Sequence, residues 1–217
     1  MAIDLGKDPI VLISLSFLEI LLILIPALIA SKVEKKSLRE ELKEMGFQRK
    51  QTTFKKMVLK VIFGLIIGTI FFFVSSYIIF FFVNFIVRIL FGAQFVEEGI
   101  NNAISTTPVN PTIIQLIIFI IIHILIIAPC EEGFFRGFLI KKSCKKMKLI
   151  YSIIFSSVIF SLYHVPPFIV PLSTILTFFG YYFFFGIFLS LTFIISKNSL
   201  LPSSIAHFTL NILLLLF

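Results

Sequence analysis

The residues equipped to do chemistry lie in three short stretches of an otherwise apolar sequence. The first is Glu131-Glu132 followed by Arg136, the second is Phe160 with His164, and the third is His207 with Asn211. Residues four apart share one face of a helix. Glu132 and Arg136 stand in the better order for an ion pair along a helix, with the acid nearer the N-terminus. Glu131 points about 100° away from Glu132 and is free to face something else. A carboxylate beside an imidazole can take a proton from water, while a second imidazole and a carboxamide N–H can stabilise a developing oxyanion. Those are the parts needed to hydrolyse an amide bond without a covalent enzyme intermediate. Glu131, His164 and His207 could instead hold a divalent metal such as zinc, since two His and one Glu form a known hydrolytic set. No H-E-x-x-H decides between the two, and no other cofactor is expected.

Such groups stand in a costly place. The run Ile113-Ile114-Gln115-Leu116-Ile117-Ile118-Phe119-Ile120-Ile121-Ile122 lies just upstream. A charge near a bilayer centre costs roughly 2.5–3.5 kcal/mol on insertion scales, so two acids and an arginine this close together need a reason. The 217 residues are 59% hydrophobic and 14% charged, against about 25% charged in a soluble domain. With apolar runs of membrane length, this composition implies an integral membrane protein of the all-α class, a polytopic transmembrane helical bundle. The net charge of +8 does not point to nucleic acid, because the basic residues gather in interhelical loops and no basic-aromatic module is present. Cys130 and Cys144 read as unpaired, and Asp4 and Asp8 beside Lys7 make the first apolar stretch a permanent span rather than a cleaved signal.

The elements that must position the polar groups can be read from the apolar runs. Six spans are expected, at about 9–30, 57–90, 111–140, 149–164, 171–196 and 200–217. The second is too long for one perpendicular crossing, so it must tilt, project beyond the bilayer or break near Ser75-Ser76. Splitting of the second or fifth would give seven or eight helices. The third continues past Pro129. The chain divides into three regions: 1–56, with the first span and a short amphipathic helix; 57–110, with the long span and a loop; and 111–217, with the candidate catalytic helices. Residues 32–60 contain ten Lys or Arg and residues 141–148 five, whereas 92–110 and 165–170 contain none. Six spans put every basic segment on one side, which the positive-inside rule makes cytoplasmic in the cell membrane. In the first basic loop, Ser37 with Glu40 forms a capping box and Gly46 a stop for a helix whose stripe of Leu38, Leu42 and Met45 suits either headgroups or a solvated connector. Gly64 and Gly68 suit close helix packing.

Depth can be estimated at 1.5 Å per residue. Counted from the expected cytoplasmic helix ends, Glu131 lies roughly 15 Å in, His207 about 10 Å, Asn211 about 16 Å and His164 roughly 22 Å. One shared cavity is compatible with these values. Bland roles exist for each group: Glu132 with Arg136 as a structural pair, and each His as an interhelical hydrogen-bonder. Glu19 and His123 are further titratable residues within the spans; they could pair with each other, or Glu19 could line the cavity. Arg88 beside Asn84 is explained by snorkelling.

Glu131-Glu132-x-x-x-Arg136, Phe160-x-x-x-His164 and His207-x-x-x-Asn211 resemble the three motifs of the type II CAAX prenyl endopeptidases, within the wider CPBP or Abi group of intramembrane proteases. The resemblance covers about residues 111–217. It implies Glu131 as general base, His164 holding and activating the water, His207 and Asn211 as the oxyanion site, and Glu132 and Arg136 supporting the helix together with Phe160. It also implies a peptide or prenylated protein substrate cut near its C-terminus at a site open to the cytoplasm; metal dependence stays open. Partners are thus the lipid bilayer and that substrate, with no nucleic acid and no signal for an oligomeric state. The alternative is a non-catalytic Abi-type protein serving bacteriocin self-immunity or scaffolding. A transporter is disfavoured by the lack of an inverted repeat.

Overall fold

The computed structural model describes residues 3–4, 8–47, 53–105 and 111–217. The chain is an all-α bundle in which each helix arises from its apolar run. Helix α1 (Pro9–Val33) opens at Asp8, whose carboxylate accepts from the N–H groups of Ile10 and Val11. Helix α2 (Leu38–Met45) has the expected capping box and ends at Gly46 in the left-handed region, φ 116°. Helix α3 (Phe54–Phe91) spans 38 residues. Helix α4 (Ala93–Asn101) is short, and α5 (Ile113–Ser143) starts at a second capping box, Thr112 with Gln115. Helices α6 (Leu149–His164), α7 (Leu172–Ile195) and α8 (Leu200–Leu216) complete the bundle. α1, α3, α5 and α7 are long and apolar enough to cross a membrane, whereas α6 and α8 are shorter apolar helices. Ile3–Asp4 and Ile104–Ser105 form a two-residue parallel pairing.

Two long helices keep going where the sequence offered a stop. α3 does not break at Ser75-Ser76; there the Ser75 hydroxyl donates to the Phe72 carbonyl, so the polar group is satisfied within the helix. At 1.5 Å per residue it measures about 57 Å, nearly twice the hydrocarbon core, so it must tilt or project. Its one irregularity is a wide π turn at Phe82–Val87. α5 runs through Pro129 as expected. Proline lacks the N–H for the carbonyl four residues back and crowds it; a π turn at His123–Ile127, immediately upstream, opens the backbone there.

Small residues set the closest contacts. A Cβ added at Gly64 would lie 2.7 Å from the Pro202 carbonyl oxygen, and one at Gly68 2.5 Å from that of Ala206. The glycine pair is therefore the seam between α3 and α8, as its spacing suggested. The core beneath that seam is Phe71, Phe135, Phe160, Phe185, Leu189, Ala206 and Leu210, contributed by five helices.

α2 is neither a headgroup-lying helix nor a solvated connector. It docks on α5, with Met45 and Glu41 fully buried and Leu38 and Leu42 packed around Ile23, Ala27 and Met45. Burying a methionine side chain contributes about 1.5–3 kcal/mol. Lys142 lies 2.7 Å from Glu41 and 2.6 Å from Glu34, and the Lys141 ammonium donates to the Glu44 carbonyl at 2.7 Å. Hydrogen bonds from Lys142 and Lys36 hold the Glu34 carboxyl down at about 2. Lys60 donates to the Ser199 hydroxyl at 2.9 Å, so the basic segments before α3, after α5 and before α8 gather at one end of the bundle.

Candidate active site

Glu131 and Glu132 sit on α5 between two π turns, His123–Ile127 and Gly133–Ile140. The second turn is stabilised from outside: the Ser156 hydroxyl on α6 donates to the Phe135 carbonyl at 2.7 Å. Arg136 donates to Glu132 Oε1 at 2.9 Å, and its other terminal nitrogen donates to the Gly186 carbonyl on α7 at 3.0 Å. Its guanidinium lies 4.6 Å from the centre of the Phe160 ring, a cation–π contact in a dry place. Glu132 and Arg136 have no exposed side-chain surface. The expected ion pair is formed, and Phe160 is the floor on which it rests.

Glu132 does more than pair with Arg136. Its Oε1 also lies 3.1 Å from His207 Nδ1, on α8. A nitrogen facing a carboxylate oxygen carries the proton, so Nε2 of a neutral His207 is the lone-pair nitrogen. That Nε2 faces Glu131 Oε2 at 3.9 Å. His164 is arranged alike. Its Nδ1–H donates to the Phe160 carbonyl at 2.9 Å, and its Nε2 faces Glu131 Oε2 at 3.7 Å. The ring is stacked on Tyr182, with centres 4.5 Å apart. Glu131 is 4% exposed, and its Oε2 has no hydrogen-bond partner among the described residues.

With Glu131 ionised and both imidazoles neutral, three acceptors thus surround one point: a carboxylate oxygen and two imidazole lone pairs. Acceptors do not bond to one another, and 3.7–3.9 Å is too long for a direct hydrogen bond. A proton donor such as water, or a cation, would satisfy all three. By donor type the set fits a zinc ion, with Glu131, His164 and His207 as ligands. Glu131, His164 and His207 are not gathered within 4.8 Å of one another; among the described residues, the one group of three His, Cys, Asp or Glu whose donor atoms all lie that close is Glu34, Glu41 and Glu44 at the basic end. Lys36, Lys142 and Lys145 already pair with those acids.

The fourth residue, Asn211, lies one helical turn beyond His207 and hydrogen-bonds His123, Nδ2 to Nε2, at 2.8 Å. His123 does not pair with Glu19; Glu19 accepts instead from the hydroxyl of Tyr163, the neighbour of His164. The helical estimates of depth spread over some 12 Å, yet packing brings the two Nε2 atoms to within 4 Å of one carboxylate oxygen. Two residues of the surroundings lay outside the sequence argument. Tyr163 had a signal, its place beside His164; Tyr182 had none, being one aromatic among many on α7.

Residues 113–213 match the family described as type II CAAX prenyl endopeptidase Rce1-like. That segment runs from the start of α5 into α8 and contains Glu131, Glu132, Arg136, Phe160, His164, His207 and Asn211. No curated protein and no solved structure matches the chain. With four helices fit to cross a bilayer, the molecule is an integral membrane protein. The segment that carries the polar site, residues 113–213, is thus similar to the Rce1-like type II CAAX prenyl endopeptidase family.

Proposed function

We propose that this protein is an intramembrane endopeptidase in which Glu131 activates the attacking water. The observation that carries the reading is the convergence of the His164 and His207 Nε2 atoms on the unpartnered Glu131 Oε2. A water held between Glu131 and His164 gives one proton to Glu131 while its oxygen adds to the carbonyl carbon of the scissile amide. His164, its ring fixed by the Phe160 carbonyl and Tyr182, orients that water. His207 takes its Nε2 proton from solvent before the reaction and keeps it through the cycle, as an imidazolium stabilised by the Glu132 carboxylate behind its Nδ1. With an N–H of Asn211, it donates to the oxyanion. The C–N bond then breaks, the leaving nitrogen takes the proton from Glu131, and an acid and an amine result. Where a divalent metal such as zinc is bound, Glu131, His164 and His207 would hold it, and it would supply polarisation of the water.

The substrate proposed from the family is the C-terminal segment of a membrane-associated, prenylated CAAX protein, presented in the cell membrane from the basic end of the bundle, taken as cytoplasmic. The test is cleavage of a farnesylated CAAX peptide by the protein in proteoliposomes. Glu131→Gln keeps the shape but cannot take the proton, and activity is expected to fall on the order of 10²–10⁴-fold. Undiminished cleavage by a folded Glu131→Gln protein overturns the assignment. Metal content and chelator sensitivity of the same preparation decide between bare and metal-bound water.

A further inference from the structure

Helices α5 and α8 are joined by two polar links, and the proposed chemistry uses one. Glu132 to His207, at 3.1 Å, belongs to the acid–base set. His123 to Asn211, at 2.8 Å, does not. The links run in antiparallel order, the earlier residue on α5 meeting the later one on α8. His123 is 5% exposed and lies at the start of the first π turn of α5, its ring 4.2 Å from the ring of Phe119. Its Nδ1 is buried without a hydrogen-bond partner among the described residues. A buried imidazole with one nitrogen unsatisfied is destabilising. Asn211 is therefore the polar group for which this ring is held.

We propose that His123 is a positioning residue for the reaction proposed above, and that it acts by fixing the carboxamide of Asn211. A carboxamide has two N–H donors and an oxygen, and it can turn about its last bond to present either end. With the Asn211 nitrogen donating to His123 Nε2, one N–H is committed, the nitrogen end of the group is held, and the second N–H is left for the carbonyl oxygen of the substrate. Without His123 the amide can turn its oxygen toward the reacting centre, where an acceptor repels a developing oxyanion instead of stabilising it. The proposal rests on the endopeptidase reading, yet the hydrogen bond on which it turns can be measured without any substrate.

The test compares His123→Phe, His123→Gln and Asn211→Ala in proteoliposomes with the farnesylated CAAX peptide. His123→Phe fills the pocket against Phe119 but offers no acceptor; His123→Gln restores one. His123→Phe is expected to lower kcat on the order of 10-fold or more with KM changed by less than about 2-fold, and His123→Gln to recover most of that loss. Adding Asn211→Ala to His123→Phe should then cost little beyond either change alone, because the two residues act as one unit. In parallel, imidazole ¹⁵N spectra of the resting protein in micelles read the link directly. The chain has three histidines, so the His123 signals are assigned by loss in His123→Phe. His123 should show protonated Nδ1 and hydrogen-bonded Nε2, with the Nε2 shift moving in Asn211→Ala. An Nε2 shift indifferent to Asn211 overturns the proposal whatever the activity. So does an undiminished kcat in His123→Phe while Glu131→Gln is inactive. If the parent protein does not cleave the peptide, the endopeptidase reading fails, and the spectra still decide whether the link exists.

Discussion

At the scale of single residues, the sequence separates the two adjacent acids by helix geometry, and the structure rejoins them through His207. One imidazole bridges the pair, Nδ1 toward Glu132 and Nε2 toward Glu131. Glu132 is thereby the counter-charge of both Arg136 and any imidazolium that forms. Removing Arg136 leaves a fully buried carboxylate without its cation, which costs about 3–5 kcal/mol when one partner of a buried pair is deleted. Arg136→Met should therefore lower the melting temperature in detergent sharply and reduce the yield of folded protein. A melting temperature equal to that of the parent would show that the pair does not hold the helix. Arg136→Lys is expected to recover part of the loss only, since an ammonium cannot both meet Glu132 and lie flat on Phe160 while reaching Gly186.

At the scale of elements, α2 governs the basic end of α5. A Cβ at Gly137 would overlap the Met45 carbonyl oxygen, a backbone atom with nowhere to move. Gly137→Val should undock α2, seen as protease cleavage within 34–47 that the parent resists; equal resistance would show that the close approach is not needed. The acids of this clamp give it a pH dependence. Glu34 has its carboxyl lowered from 4.5 to about 2, chiefly by its hydrogen bonds to Lys142 and Lys36. A depressed carboxyl contributes its full stabilisation above the unfolded value and loses it as pH falls toward the folded one. Hydrogen-exchange protection of α2 amides should hold from neutral pH to about 4.5 and then decline toward about 2. Glu34→Gln should flatten that decline. An unchanged decline in Glu34→Gln would assign it to other groups.

At the scale of the whole molecule, the prediction concerns which end faces the cytoplasm. The basic segments share one end, held together by Lys60 with Ser199 and Lys142 with Glu34 and Glu41. Exposed Cys144 lies at that end, next to the lysines that come after α5. In a Cys130→Ser background, a membrane-impermeant maleimide should label Cys144 in inverted vesicles and spare it in right-side-out ones. The reverse pattern would overturn the orientation read from the lysines. Glu98→Cys, on α4 beyond the other end of α3, should give the opposite result in a Cys144→Ser background.

How much was legible beforehand depends on the range of the interaction. The membrane class, the helices, the Ser37–Glu40 cap and Gly46 stop of α2, and the faces shared by Glu132 with Arg136 and by His207 with Asn211 all come from composition and from periodicity over a few residues. Local backbone geometry repeats, so a spacing of four reads the same in the sequence as in the fold. The glycine seam between α3 and α8 was legible as a capacity for close contact, though not as a choice of partner. Tertiary structure alone decided that choice, along with the docking of α2, the pairing of Glu19 with Tyr163, and that of His123 with Asn211. These depend on the relative height and rotation of helices far apart in the chain, and each π turn of α5 rotates the remainder of the helix by about one residue, or roughly 100°. A local pattern fixes which residues look out from one helix together. Only packing fixes the groups they face.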